Sequence, residues 1–225
     1  MTFSIVGRCA TTGQFGVAIS SSSPAVAARC AHARAGVGAV ATQNVTNPAL
    51  GPFMLDRLSE GAGATEAVGA ARDHDRFPDH RQLLAVDANG RTAIHSGAQA
   101  LGVWTSASGR DCASGGNLLA NDGVPAAMVA AFEAAPGALG DRLVAALQAG
   151  LAAGGEAGPV RSAGLLVVDR QSWPYADLRI DWREDGCPIA ALALAWEIYQ
   201  PQADAYVTRA LNPVAAPSYG VPGDE

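Results

Sequence analysis

The 225-residue sequence contains no lysine, because all fifteen of its basic residues are arginine. A phosphate-binding P-loop, a pyridoxal phosphate or Schiff-base site and a Ser-Lys dyad each require a lysine side chain. The absence of lysine therefore excludes all three, and we expect no cofactor. The basic residues are outnumbered by 21 acidic ones, for a formal net charge of -6. Because phosphate-backbone binding needs clustered positive charge, nucleic acid is not expected as a partner.

Signals for metal sites and disulfides are also scarce. The four cysteines are scattered without a CxxC pair, and no two of the four histidines have an HxxxH or HExxH spacing. We therefore expect free thiols and no metal. A GxSxG motif that would anchor a Ser-His-Asp triad is absent as well. No basic and apolar leader and no apolar run of about 20 residues is found, so we predict a cytoplasmic protein without a membrane segment.

The composition and the order of periodic segments predict one domain. With 49% hydrophobic residues, 225 residues suffice to bury a sizeable core. The predicted order over residues 1–200 begins with a two-stranded hairpin, a third strand over residues 36–44 and two short helices. Three more strands, the last of them around Cys112, two helices, two strands and one helix follow. This order fits neither βαβ alternation nor an all-β meander, whereas two stacked sheets with helix pairs outside fit it. Residues 201–225 are rich in proline, alanine and glycine, and we predict a tail or an arm on a partner subunit.

The stretch "MTFSIVGR" opens the chain directly on a strand pattern. Thr2 and Ser4 alternate with Phe3 and Ile5, so that the two polar side chains share one face. Removal of Met1 would make Thr2 the terminal residue, with its hydroxyl nucleophile and its amine base on one residue. The alternative is that the stretch simply completes a sheet.

The element order, with a first strand that opens on Thr2, resembles the αββα sandwich of N-terminal-nucleophile (Ntn) hydrolases, in particular a proteasome β subunit. The phrases "TFSIVGR", "GVAISSSSPAVA", "RAGVGAVATQNVTNP", "GGNLLA" and "RSAGLLVV" are similar to the domain-of-unknown-function 1028 family, which is assigned to that fold. The resemblance covers about residues 1 to 200. It implies an α+β fold in which two stacked, mostly antiparallel sheets lie between helix layers.

The resemblance also implies site residues. Thr2 matches the nucleophile, Asn117 in "SGGNLL" matches a side-chain oxyanion donor, and Ser162 matches a serine close to the terminal amine. The proteasome-like aspartate and lysine are missing, since Ser22 and the lysine-free "VGAVATQN" stand in the corresponding places. Asn117 has the alternative of serving only as a helix cap or turn residue.

Four polar residues are candidates for substrate binding, and the first of them is Ser22 in "AISSSS" at the end of the predicted second strand. Gln43 and Asn44 belong to an amide-rich stretch at the end of a predicted strand, where they form either a substrate-binding rim or turn hydrogen bonds. His95 lies inside a predicted strand and is a candidate to face the site.

Two classes of function remain open at this stage. The first is an Ntn-type amidohydrolase acting on a small amide-containing substrate. The second is a non-catalytic αββα protein that binds a ligand or assembles with partners. In either case, alanine-rich helices with few charges and the apolar segment after residue 200 predict a homodimer or a higher homo-oligomer.

Overall fold

The computed structural model describes residues 1–223 and contains ten strands and seven α-helices in that range. The strands are β1 (Thr2–Arg8), β2 (Phe15–Ser21), β3 (Ala31–Arg34), β4 (Gly38–Asn44), β5 (Arg81–Asp87), β6 (Thr92–Ser96), β7 (Thr105–Gly109), β8 (Cys112–Asn117), β9 (Ser162–Val168) and β10 (Ala176–Ile180). The helices are α1 (Val26–Cys30), α2 (Leu50–Ser59), α3 (Ala64–His74), α4 (Val124–Ala134), α5 (Leu139–Ala152), α6 (Pro188–Tyr199) and α7 (Ala203–Leu211).

The strands form two antiparallel sheets. The six-stranded sheet has the order β10-β9-β2-β1-β8-β7, and the four-stranded sheet has the order β3-β4-β5-β6. The first strand of the chain is thus central, paired with β2 on one side and β8 on the other. A strand in this position is held by hydrogen bonds along both edges, which keeps the chain terminus ordered.

The two sheets stack face to face between helix layers. The middle layer is an apolar cluster that includes Val6, Val17, Ala41, Leu84 and Ala113 from both sheets. Helices α4, α5 and α6 pack on the outer face of the six-stranded sheet, whereas α2 and α3 pack on that of the four-stranded sheet. The αββα sandwich that the sequence predicts is confirmed.

Four elements were not anticipated from the sequence. The strand predicted over residues 36–44 begins at Gly38 and is preceded by α1 and β3, and β7 precedes the predicted strand around Cys112. The short α1 and β3 share the sequence "VAARCAHAR", which has neither a clear helical nor a clear strand period. The segment predicted as a tail contains α7, which is tied to the domain by a hydrogen bond from Tyr175 to Asp204.

No helix within residues 1–223 combines the length and the apolarity that crossing a membrane requires. All four cysteines are free thiols, of which three are buried: Cys9, Cys30 and Cys112, with Cys187 half-buried.

Candidate functional site

A row of four polar side chains crosses the six-stranded sheet at one end of the sandwich. The strand register aligns Ser162 of β9 with Ser21 of β2, Ser21 with Thr2 of β1, and Thr2 with Asn117 of β8. Residues in register on neighbouring antiparallel strands point to the same face of the sheet. Because Val6 of β1 belongs to the cluster between the sheets, this row also faces the second sheet.

A second polar row faces the first one. Gln43 of β4, Gln82 of β5 and Ser96 of β6 are in register across the four-stranded sheet. Gln82 accepts hydrogen bonds at Oε1 from Gln43 Nε2 (2.7 Å) and Asn117 Nδ2 (3.4 Å), and its own Nε2 donates to Ser96 Oγ (3.0 Å). Gln43 accepts from Ser4 Oγ at 2.6 Å. Since polar groups buried this deeply must be paired, the network fixes the relative position of the sheets at this end.

Met1 lies directly on the first row. The carbonyl oxygen of Met1 accepts hydrogen bonds from Thr2 Oγ1 (2.6 Å) and Ser21 Oγ (2.5 Å). The two hydroxyl oxygens are 3.3 Å apart, and only 6% of Thr2 is exposed. The hydroxyls of Thr2 and Ser21 are therefore placed to hold a carbonyl group at this end of the sheet.

Glu156 is a carboxyl group beside this row and lies in the loop between α5 and β9. Its Oε2 accepts a hydrogen bond from the Ser22 backbone N–H at 3.0 Å, and its buried Oε1 has no hydrogen-bond partner among residues 1–223. The loop is held against the end of β8, because Leu119 forms a bridge with Glu156 and Ala157 N donates to Leu118 O. An unpartnered buried carboxylate oxygen is uncommon in native proteins and calls for a functional explanation.

The surroundings of Glu156 change its ionisation. Burial, which is the largest effect, raises its pKa from the ordinary 4.5 to about 7. The positive charge of the terminal amine and hydrogen bonds from Ser22 act in the opposite direction. A carboxyl with this pKa exchanges its proton near neutral pH, where a proton-transfer group is most effective.

Two strained backbone positions lie on either side of the polar row. Leu118, which follows Asn117, has φ 52°, and Ala25, in the loop after β2, has φ 50°. The left-handed region is unfavourable for residues with a Cβ other than Asn and Asp. Such strain concentrates at functional sites, where the surrounding structure maintains it.

The structure brings Ser22 and Ser162 close to Thr2 but gives their polar groups definite partners. Ser22 holds Glu156 through its backbone N–H. Ser162 donates from Oγ to the carbonyl oxygen of Ser23 at 2.6 Å and accepts from Val26 N at 3.4 Å. Both serines thus fix the loop that follows β2, and a contact between Ser162 and the Thr2 amine stays a prediction.

Asn117 lies beside Thr2 in the register and does not cap a helix, and its role as an oxyanion donor stays a prediction. It ends β8, whereas α4 begins seven positions later with Gly123 as its N-cap. The glycines before it permit the approach of the facing amides, since Gly115 O accepts from Gln43 Nε2 (3.1 Å) and Gly116 O from Gln82 Nε2 (3.2 Å). The alternative of a helix cap is therefore wrong for Asn117.

Asn44 and His95 lie outside the two rows. Asn44 Nδ2 donates to His80 O at 2.7 Å, and its Oδ1 accepts from Leu101 N at 3.2 Å, so that it joins two loops. His95 is the register partner of Leu83, which packs under α2 and α3, and its Nε2 lies 3.0 Å from Pro78 O. The side chain of His95 is consequently on the opposite face of the four-stranded sheet from Gln82. Of the predicted substrate-binding residues, Gln43 lies in the second polar row and Ser22 lies next to the first. Asn44 and His95 lie in neither row.

Sequence analysis missed Ser21, whose neighbour Ser22 was predicted instead. Gln82 and Glu156 were missed as well. A signal for each exists: Gln82 shares its face of β5 with the apolar Leu84 and Val86, and Glu156 is the one charged residue between Arg142 and Arg161. A polar residue in an otherwise apolar stretch indicates a specific role, because burying a polar side chain without a hydrogen-bond partner is unfavourable.

Within residues 1–223, no group of three or more His, Cys, Asp or Glu side chains is arranged to hold a metal ion. The two rows and the loop beside them bring together hydroxyl groups, side-chain amides and the carboxyl group of Glu156.

Comparison with known proteins places these features in a family. The profile described as "Family of unknown function (DUF1028)" matches residues 2–192. The crystal structure of protein SPO2555 from Silicibacter pomeroyi, which carries the same family assignment, is 30% identical with a TM-score of 0.82. The match covers 88% of this chain and 86% of that one. No curated protein matches the chain at a significant level.

Two further solved structures are more distant. Anbu (ancestral beta-subunit) from Yersinia bercovieri is 12% identical with a TM-score of 0.38, over 91% of this chain and 97% of that one. An Anbu (Gly-1) mutant from Hyphomicrobium sp. strain MC1 is 13% identical with a TM-score of 0.40, over 92% and 99%. Both TM-scores are too low to support an argument about this chain.

Proposed function

The chain belongs to the DUF1028 family, and on that premise we propose that it is an N-terminal-nucleophile amidohydrolase acting on a small amide-containing substrate once Met1 has been removed. The observation that supports this most directly is the register of Thr2 with Asn117 on one face of the sheet. Side chains in register lie about 5 Å apart at Cβ. A nucleophile and an amide donor are thus adjacent to one reacting carbonyl.

The reaction proceeds in two halves. The Thr2 amine takes the hydroxyl proton while Oγ1 bonds to the substrate carbonyl carbon, and the carbonyl electron pair moves onto oxygen. When the intermediate collapses, the C–N bond breaks and the nitrogen leaves with the proton from the Thr2 ammonium. Water then attacks the Thr2 ester and gives a proton to the amine. Cleavage of the ester C–O bond releases a carboxylic acid, and Oγ1 regains its proton.

Two side chains stabilise the charge that develops on the substrate oxygen. Ser21 Oγ already donates to the Met1 carbonyl oxygen at 2.5 Å, and the Asn117 amide lies on the other side of Thr2. Donors that are fixed before the reaction stabilise an oxyanion without reorganisation. Gln82 and Gln43 hold the Asn117 amide in place through their buried hydrogen bonds.

Removal of Met1 is required because an acylated nitrogen is not a base. Intact mass measured on protein isolated from its native cell determines whether Thr2 is terminal, and a full-length mass would exclude the mechanism. Met1-free protein is then assayed against small amides, N-acyl amino acids and ureido compounds. We expect Thr2→Ala to abolish hydrolysis and acyl-enzyme formation and Thr2→Ser to retain part of the turnover. Equal hydrolysis by wild type and Thr2→Ala would show that Thr2 is only a strand residue.

We further propose that the protein works as a homodimer or a higher homo-oligomer in the cytoplasm. Leu194 and Ile198 are 56% and 61% exposed and lie one helical turn apart on α6, on the outer face of the domain. A second copy would cover this apolar surface. The four free thiols fit a reducing compartment. Sedimentation at micromolar concentration tests the oligomeric state, and the mass of a single chain would overturn it. Cell fractionation tests the cytoplasmic location.

A further inference from the structure

Met1 shows how the site holds an aminoacyl group. The carbonyl oxygen of Met1 is bound by the Thr2 and Ser21 hydroxyls. Its side chain lies against Gly158, where an added Cβ would come within 2.9 Å of Cε and 3.3 Å of Sδ. The positive charge of its ammonium group is close enough to favour the ionised form of the Glu156 carboxyl. The carbonyl and the side chain of this aminoacyl group therefore contact the protein directly, and its amine interacts with Glu156 through charge.

An acyl group on Thr2 Oγ1 would occupy nearly the same space as the methionyl group. In the chain with Met1, the methionyl group is bonded to the Thr2 nitrogen, and in an acyl-enzyme the acyl group is bonded to Thr2 Oγ1. The nitrogen and Oγ1 sit on adjacent carbons of one residue, and Oγ1 is already 2.6 Å from the Met1 carbonyl oxygen. The position of an acyl group on Oγ1 therefore differs from that of the methionyl group on the nitrogen by only a few ångströms, about the length of one residue.

Glu156 has one carboxylate oxygen available for a ligand. Its Oε2 is fixed by the Ser22 N–H, while the buried Oε1, which has no partner in the described part of the chain, can accept a hydrogen bond. Only 5% of Glu156 is exposed. Because water has little access to it, leaving its carboxylate without a hydrogen-bond partner is energetically unfavourable. A cation placed at Oε1 satisfies both the charge and the hydrogen-bonding capacity of this carboxylate.

We propose that the substrates are amides or short peptides of an α-amino acid with a free ammonium group, which Glu156 binds, and with an unbranched side chain of about the size of methionine, which Gly158 accommodates. This inference rests on the proposed function for the chemistry but makes a separate statement about recognition. N-acylated or deaminated analogues leave Glu156 without a cationic partner. A larger residue at position 158 fills the space that the side chain needs.

Binding is measured on Met1-free protein that carries Thr2→Ala, so that no turnover occurs. Titration calorimetry compares L-methioninamide with N-acetyl-L-methioninamide and 4-(methylthio)butanamide. We expect L-methioninamide to bind about ten- to hundredfold more tightly, because a hydrogen bond to a charged group is at stake. Glu156→Gln should reduce this preference to about twofold or less, whereas the exposed Glu197→Gln should retain it as the matched control. Circular dichroism verifies that each variant is folded.

The proposed preference for a side chain of about the size of methionine is tested separately at Gly158. Gly158→Val should weaken L-methioninamide binding at least about tenfold while L-alaninamide binding changes little. Equal binding of the free-amine and N-acetyl compounds, or a preference unchanged in Glu156→Gln, would overturn the inference. If the binding preference is found but protein with Thr2 intact hydrolyses none of the compounds, the proposed catalytic function fails while the recognition stands.

Discussion

Asn117 at the end of β8 donates a hydrogen bond from Nδ2 to Oε1 of Gln82 on the facing sheet, with 3.4 Å between the two atoms. This bond joins the two sheets at the end where Thr2 lies. An amide nitrogen carries two hydrogens, so that one of them is committed to Gln82 and the other is left for a ligand. Gln82 thereby fixes the orientation in which Asn117 faces the Thr2 hydroxyl.

We expect Asn117→Ala to lower turnover by roughly a hundredfold to a thousandfold in Met1-free protein, since removal of one oxyanion donor has an effect of this size. KM should change little, because the interaction is made mainly in the transition state. Steady-state kinetics with the amide panel measures both constants. Asn121→Ala is the control, because Asn121 lies outside both polar rows and its side chain bonds to backbone groups, the carbonyl oxygen of Ala153 and the N–H of Gly123. An Asn117→Ala enzyme with unaltered turnover would remove Asn117 from the mechanism.

Gln82→Met keeps the volume of the side chain but removes every polar partner it supplies. Gln43 Nε2, Asn117 Nδ2 and Gly116 O would each lose a buried hydrogen bond, and Ser96 Oγ would lose a partly buried one. Because each unpaired buried group costs about 1–3 kcal/mol, we expect a decrease of at least about 3 kcal/mol in the free energy of unfolding. Urea denaturation provides the measurement. The exposed Gln148→Met should change stability by less than about 0.5 kcal/mol, and an equally small change for Gln82→Met would contradict the network.

The sequence predicted Thr2, Asn117 and Ser162 in the polar row of the six-stranded sheet, but only Gln43 in the facing row of the four-stranded sheet. The alternation in β1 places Thr2 on a definite face, and the helical period locates α2 to α6, because both signals are local. The hydrogen bond between Gln82 and Asn117 depends on how the two sheets stack, and no local sequence pattern encodes this stacking. Glu156 reaches the terminus only because its loop pairs with residues after β8. The position of His95 could not be predicted for the same reason, because the face of β6 that points toward the core was unknown. Asn44 forms the loop hydrogen bonds that were the second interpretation of its stretch.

Asn44 combines a left-handed backbone, φ 72°, with two side-chain hydrogen bonds to neighbouring loops. We expect Asn44→Gly to lose only the hydrogen bonds, and Asn44→Ala to lose them and to strain the backbone as well. The alanine variant should therefore be less stable than the glycine variant by about 1 kcal/mol. Thermal or urea unfolding of the pair checks this order. Greater stability of Asn44→Ala would show that the loops adjust around position 44.

The ionisation of Glu156 makes the stability of the protein depend on pH in a defined direction. Its pKa is raised from 4.5 to about 7, chiefly by burial. The folded state therefore binds the proton more tightly than the unfolded state does, and the resulting stabilisation is complete below pH 4.5 and is lost as the pH rises through about 7. The contribution amounts to up to about 3 kcal/mol. Because glutamine cannot ionise, Glu156→Gln should gain stability relative to wild type as the pH rises from about 5 to about 8. Urea unfolding of both proteins across this range measures the difference, with Glu197→Gln as the exposed control. A difference that stays constant with pH would show that Glu156 ionises normally in the folded protein.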